Sequence, residues 1–170
     1  MTQAHDQRDP GEVDRLLAGA AKTITNAHNC WLATASGADG PSLRPMGRLP
    51  PEPDDDQWTF RFITDGRSHK AADIRRASEV KLIFQHDPDL AFATLIGRAT
   101  LRENASEDRK HWKSTYDVYF HGEQDRTHAA FIEVEAERME LWIRGVTPEP
   151  FGLRATVLAR DAGGWRLAGG

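Results

Sequence analysis

The residues with the most chemical potential in this chain stand together in Ile63-Thr64-Asp65-Gly66-Arg67-Ser68-His69-Lys70. Asp65-Gly66 ends an alternating apolar run and Ser68 is a helix-capping residue type, so the pattern reads strand, turn, helix start. The backbone N–H groups of a helix's first turn have no partner inside the helix and attract anions. This start also carries the hydroxyls of Thr64 and Ser68, the side chains of Arg67 and His69, and the ammonium of Lys70. A phosphate needs several converging donors with positive charge nearby. Two readings stay open on local chemistry alone. One is an anion site; the other is a capped surface helix whose basic residues serve no ligand. The chain has no Walker-type glycine loop and no G-x-G-x-x-G, so a nucleotide-hydrolysing or dinucleotide-binding fold is not indicated.

Other chemistry-bearing residues form no second constellation. His5 lies in a polar tail, and His28, His86, His111, His121 and His128 make no spaced ligand set with carboxylates or Cys30, so no metal site is expected. The run Pro50-Pro51-Glu52-Pro53-Asp54-Asp55-Asp56 lacks the spaced ligands and glycine of a calcium loop and reads as a solvated connection. Cys30, beside Trp31, reads as a small buried hydrophobe. No Ser-His-Asp arrangement is supported, and no residue stands out as a general acid or base.

The elements that must position the anion segment are short and mostly extended. After a loose polar tail over residues 1–10, Asp9-Pro10 suits a helix start, and Val13, Leu16, Leu17, Ala20 and Ile24 recur at helical spacing. Cys30 to Ala35 and Ser42 to Met46 read as a hairpin around the turn Ser36-Gly37-Ala38-Asp39-Gly40-Pro41. Trp58 to Thr64 alternates apolar with polar residues, as a strand with one buried face does. A helix over about His69 to Ser78 follows, then strands over Val80 to Phe84 and Ala91 to Leu101, the latter passing through Gly97. The spacing of Trp112 and Tyr116 predicts a helix over about Ser106 to Tyr119. Phe131 to Ala136 and Met139 to Ile143 are expected strands, and Arg154 to Arg160 with Trp165 to Leu167 a last hairpin. Many short strands with two or three helices, not regularly alternated, favour a small antiparallel barrel with flanking helices over a doubly wound sheet.

Bulk properties narrow the function classes. A chain of 170 residues, 39% hydrophobic and 28% charged, suits one packed domain, expected here over residues 11–170. The formal net charge of -4 argues against general nucleic-acid binding, which usually needs a basic face. One cysteine cannot make an intrachain disulfide, and there is no apolar run long enough for a membrane span. The expected location is the cytoplasm.

Several motifs in order bring a family into view. They are Trp31-Leu32-Ala33-Thr34, Arg44-Pro45-Met46, Phe62-Ile63-Thr64 with Ser68-His69-Lys70, and Val80-Lys81-Leu82-Ile83-Phe84. Leu95-Ile96-Gly97-Arg98-Ala99, a helix with Trp112, Tyr119-Phe120-His121-Gly122 and Glu140-Leu141-Trp142 complete the set. From about Ala21 to Trp142 the chain resembles the pyridoxamine-phosphate-oxidase-like split β-barrels that bind flavin mononucleotide (FMN), particularly their general-stress-protein branch. The resemblance implies a mainly β fold, a split β-barrel with flanking helices, and FMN as cofactor. It implies that Arg44 and Lys70 pair with the FMN phosphate, with Ser68 and His69 as further donors. Ile63 and Thr64 would lie along the flavin, and Pro45 and Met46 would present backbone groups to its ring. Phe92 would stand near the flavin, although it also reads as core. The family's flavin lies between two subunits, so a homodimer is implied, and Trp142 and Arg154 would reach the partner's cofactor. Trp142 reads equally as core or interface.

The resemblance breaks at the substrate side. Pyridoxamine phosphate oxidases follow their tryptophan with an Arg-x-His substrate motif, whereas Phe151-Gly152-Leu153 stands there in this chain. That argues against vitamin B6 oxidation more than against flavin binding. The expected function is an FMN-dependent oxidoreductase acting on an unidentified small molecule. The alternative is a non-catalytic flavin-storage or stress-sensing protein. A third reading puts a deazaflavin or haem-derived ligand in the same groove.

Overall fold

The computed structural model describes residues 10–103 and 112–168. The chain runs α1 (Pro10–Asn26), β1 (Asn29–Ala35), β2 (Pro41–Gly47), β3 (Thr59–Asp65), α2 (His69–Arg76), β4 (Glu79–His86) and β5 (Ala91–Arg102). A short 3-10 turn (Ser114–Val118) and α3 (Glu123–Arg126) precede β6 (Ala129–Ile143), β7 (Thr156–Asp161) and β8 (Gly164–Leu167). Strand order is β2-β1-β4-β5-β6-β7-β8, with β3 paired to β6 off this path. The fold is mainly β with flanking helices, as the short alternating runs predict.

Two compact units make up the chain. One holds Asn29–Leu82 and Ile96–Ala136 and carries β1, β2, β3 and α2; the other, carrying α1, β7 and β8, takes in residues 10–28, 83–95 and 137–168. In the β1–β3 unit, β1 and β2 form an antiparallel hairpin in which Leu32 faces Arg44 and Cys30 faces Met46. β3 pairs antiparallel with the first half of β6, from Thr59 opposite Glu135 to Asp65 opposite Ala129. Phe60, Phe62 and Thr64 of β3 are buried, so the alternation in the sequence is the alternation of faces. In the α1 unit, Leu16, Ala20 and Ile24 bury one stripe of α1, which contacts β8. There β6, β7 and β8 form an antiparallel meander.

Two expectations for local structure are corrected. Phe131–Ala136 and Met139–Ile143 belong to one 15-residue strand, β6. From Ala130 its buried positions are even-numbered through Ala136 and odd-numbered from Met139, with Glu137 and Arg138 both exposed between. The polar pair that reads as a break is a one-residue shift of face, at the point where pairing passes from β3 to β7. The helix expected over about Ser106–Tyr119 lies partly outside the described residues. Within them stands a 3-10 turn rather than an α-helix. Its geometry follows from Asp117, whose carboxylate accepts from Trp112 Nε1 at 2.9 Å and from Arg126 at 2.7 Å. The same grouping sets the Arg126 guanidinium 5.3 Å from the Trp112 ring; Arg126 closes α3, a helix the sequence pattern does not predict. The polar tail expected at residues 1–10 lies outside the described residues, save Pro10, which opens α1.

No helix among the described residues is long and apolar enough to cross a membrane. Cys30 is buried in β1, with its thiol 3.8 Å from the Met46 carbonyl. Burial pushes the thiol up to about 12, the nearby Arg48 charge opposing. The thiolate is the reactive form, so the folded protein at pH 8 should resist a thiol reagent that labels the urea-unfolded chain at once. Equal labelling rates would show that β1 opens readily.

Candidate functional site

Alternating burial in β3 turns Thr64 to the inner face at the strand's end, and Asp65 then shapes the turn. Its carboxylate accepts from the Arg67 N–H at 2.7 Å and pairs with the Arg67 guanidinium at 2.6 Å. This bond to Arg67 holds the Asp65 carboxyl down to about 2. Arg67 is exposed and committed to Asp65, so it does not join the donors around Thr64. Ser68 caps α2, its hydroxyl accepting from the Ala71 N–H at 3.4 Å. Arg75 and Arg76 in the last turn suit the helix dipole, and α2 buries Ala71, Asp73 and Ile74 and contacts β1.

The cluster then closes around Thr64. Lys70 Nζ donates to Thr64 Oγ1 at 3.1 Å, and the Thr64 and Ser68 hydroxyl oxygens stand 3.4 Å apart. From the hairpin, Arg44 Nη1 donates to Thr34 Oγ1 at 3.0 Å. Burial, and then the charge of Arg44, push the Lys70 ammonium below the usual lysine range, while Asp65 opposes. Two cations are thus held near one another, half-buried. Among the described residues Lys70 has no ion-pair partner. The donor set suits an anion with several oxygens, such as a phosphate monoester.

Behind the cluster lies Asp73, whose importance the sequence pattern hides. It is 6% exposed. Its Oδ2 accepts from Thr34 and Ser36, each at 2.7 Å, and lies 3.7 Å from Arg44. Its Oδ1 pairs with Arg76 at 3.0 Å. The Thr34 hydroxyl above all, then Ser36 and Arg76, hold this carboxyl below the usual aspartate range against the effect of burial. An acidic residue between the buried Ala71 and Ile74 was the available signal, since a carboxylate on a buried stripe needs partners.

Asp73 makes a prediction about acid stability. Its folded pKa is depressed below the unfolded value of about 3.9. The stabilisation is therefore present above about pH 4 and is lost as pH falls through the folded value. Asp73→Asn should cost roughly 2 kcal/mol at pH 7, because it strips charge from several buried hydrogen bonds. Urea melts at pH 7 and pH 3 should show a smaller drop for the variant than for the parent. Parallel drops would exclude Asp73 from the acid response.

The other residues marked by the sequence are distributed as follows. Pro45 is exposed and Met46 buried on β2, which is the first strand of the sheet order and so has one unpaired side. Ile63 lies beside Thr64 on the opposite face of β3. His69 opens α2 and is exposed, with no side-chain hydrogen bond among the described residues. Phe92 on β5 and Trp142 on β6 are partly buried, and Arg154, in the segment before β7, is exposed. These three belong to the α1 unit. Among the described residues no grouping of three or more His, Cys, Asp or Glu could hold a metal ion.

Comparison with known proteins gives consistent results. A family model for "Pyridoxamine 5'-phosphate oxidase like" proteins matches residues 17–149. No curated protein matches the chain. Among solved structures, a Clostridium acetobutylicum protein related to general stress protein 26 is 14% identical with a TM-score of 0.68, covering 86% of this chain and 95% of that one. A pyridoxamine 5'-phosphate oxidase-related, FMN binding protein from Nostoc punctiforme is 15% identical with a TM-score of 0.64, covering 100% of each chain. General stress protein 26 from Bacillus anthracis is 17% identical with a TM-score of 0.58, covering 75% of this chain and 93% of that one. At these identities the likeness establishes the fold, the split barrel with flanking helices. The family follows from the model that spans most of the sequence: this chain belongs to the pyridoxamine 5'-phosphate oxidase like family.

Proposed function

We propose that the protein binds FMN, with Arg44, Lys70, Thr64 and Ser68 around its phosphate, and serves as a flavin-dependent oxidoreductase on a small molecule. The carrying observation is the pair of half-buried cations, Lys70 donating to Thr64 and Arg44 to Thr34, with burial first and the Arg44 charge second pushing the Lys70 ammonium down. A phosphate between them relieves their repulsion and takes the donors that no carboxylate among the described residues engages at Lys70. In this reading Ile63 and Thr64 flank the flavin, Pro45 and Met46 offer backbone groups to its ring, and His69 is a secondary donor. Phe92, Trp142 and Arg154 are further flavin contacts, the last two toward a partner subunit's cofactor. Bound FMN supplies the hydride or electron transfer, and the chain's residues bind and orient it. The family membership and the Nostoc FMN binding protein support the cofactor.

A homodimer belongs to this reading. Trp31 and Leu43, 47% and 52% exposed, share the outward face of the β1–β2 hairpin and offer apolar surface to a second copy. Light scattering on the purified protein should give twice the chain mass. The single buried thiol suits the cytoplasm.

Titration of flavin-free protein with FMN should quench flavin fluorescence and raise the melting temperature. A colourless protein with neither response contradicts flavin binding, and a response only to a deazaflavin or haem-type ligand reassigns the groove. The second reading, flavin storage or sensing, draws on Phe151-Gly152-Leu153 standing where the family's substrate motif is expected. Anaerobic reduction of bound flavin by NADH or NADPH separates the two. Failure of both donors counts against the oxidoreductase.

A further inference from the structure

A cavity of about 350 Å³ lies within the β1–β3 unit, bounded by the loop between β2 and β3, by β3 and β6, and by the 3-10 turn. It shares no residue with the Thr64 cluster. Its volume falls at the lower end of the range for small-molecule sites. Leu49, Tyr116 and Phe131 give it apolar wall, with the two rings edge to face at 5.9 Å. Tyr116 is 5% exposed, and among the described residues no hydrogen bond reaches its hydroxyl. A phenol hydroxyl in a cavity wall can bond water, and a guest that displaces that water must replace the bond.

The cavity's charges sort into a committed set and a free one. Arg61 reaches Asp55 at 2.6 Å and Glu133 at 2.8 Å, and Arg102 reaches Glu133 at 3.1 Å. Two arginines and two carboxylates therefore neutralise one another. Glu52 and Asp54 also line the cavity. Glu52 has only the exposed Lys113, at 3.5 Å, and Asp54 has no ion pair among the described residues. The unmatched charge is negative. An anionic guest would have to break the Arg61 network, whereas a cationic guest meets Asp54 directly.

The geometry points to a binding site for a flat, positively charged small molecule, its body against Tyr116 and Phe131, a polar group on the Tyr116 hydroxyl and its cation toward Asp54. The site is separate from the proposed flavin grip and does not depend on it.

Tryptamine, indole and indole-3-acetate share a ring and differ in charge, so they test it by calorimetry on the whole protein at pH 7 and low salt. Tryptamine should bind saturably and at least threefold tighter than indole-3-acetate. Asp54→Asn, a surface change, should cut tryptamine affinity about threefold and leave indole unchanged. Tyr116→Phe should weaken indole and tryptamine alike, by roughly two- to tenfold. If Tyr116→Phe lowers the melting temperature sharply, the Asp54 comparison alone decides. Equal binding of the cation and the anion, no saturable binding of any of the three, or an unchanged ratio in Asp54→Asn would overturn the assignment.

Discussion

Lys70→Ala and Arg44→Ala should each weaken FMN binding by roughly ten- to a hundredfold while leaving riboflavin, which lacks the phosphate, almost unchanged. The magnitude follows from the 1.5–3 kcal/mol or so carried by a hydrogen bond to a charged group, with about 1.4 kcal/mol to each factor of ten. Selectivity follows from position: Lys70 reaches Thr64 and Arg44 reaches Thr34, and among the described residues no other cation is bonded to either hydroxyl. The two variants should differ in stability. Arg44→Ala also removes a partner from the buried Asp73, so it should melt lower than Lys70→Ala. Removing Lys70 relieves repulsion with Arg44, so the apo protein should lose little. Fluorescence titration of each variant with both ligands is the measurement. Equal losses for FMN and riboflavin would move the phosphate elsewhere.

The strand, turn and capped helix from Thr64 to Lys70 were legible because each rests on neighbours in sequence: alternation for β3, the Asp65 turn, the Ser68 cap. Arg44 was not legible from its own surroundings. Its place beside Thr34 depends on the β1–β2 register, and its approach to Asp73 on α2 packing against β1. Only the ordered motifs of the family resemblance brought it in. Asp73 was missed because its partners Thr34 and Ser36 lie 39 and 37 residues away in sequence. A lone acidic residue on a short helix reads as solvated until the packing is seen. Arg67 is the opposite case: local charge suggested a phosphate donor, and a carboxylate two residues away claims it. For the loop from Pro50 to Asp56, composition described its polarity correctly and hid the cavity it helps to enclose.

Gly97→Ala should be among the most damaging single-methyl changes available to this chain. Gly97 lies buried on β5, and a Cβ placed there would stand 2.0 Å from the Glu135 carbonyl oxygen and 2.8 Å from its carbon. The obstacle is the backbone of β6, not the end of a side chain that can swing aside. Relief requires β5 to move off β6 where β6 also pairs with β3, Thr59 facing Glu135. Interiors are too densely packed to take up such a shift without loss elsewhere. Overpacking against flexible side chains costs about 1–3 kcal/mol, so a clash with backbone should cost about 3 kcal/mol or more. For a chain of this length that lowers the melting temperature by roughly 6–12 °C, read by circular dichroism. Gly163→Ala is the control, because its Cβ would meet only the Asp161 carboxylate at 3.3 Å in an exposed turn. A Gly97→Ala protein that melts with its parent would mean that the two strands stand further apart at this point than 2.0 Å implies.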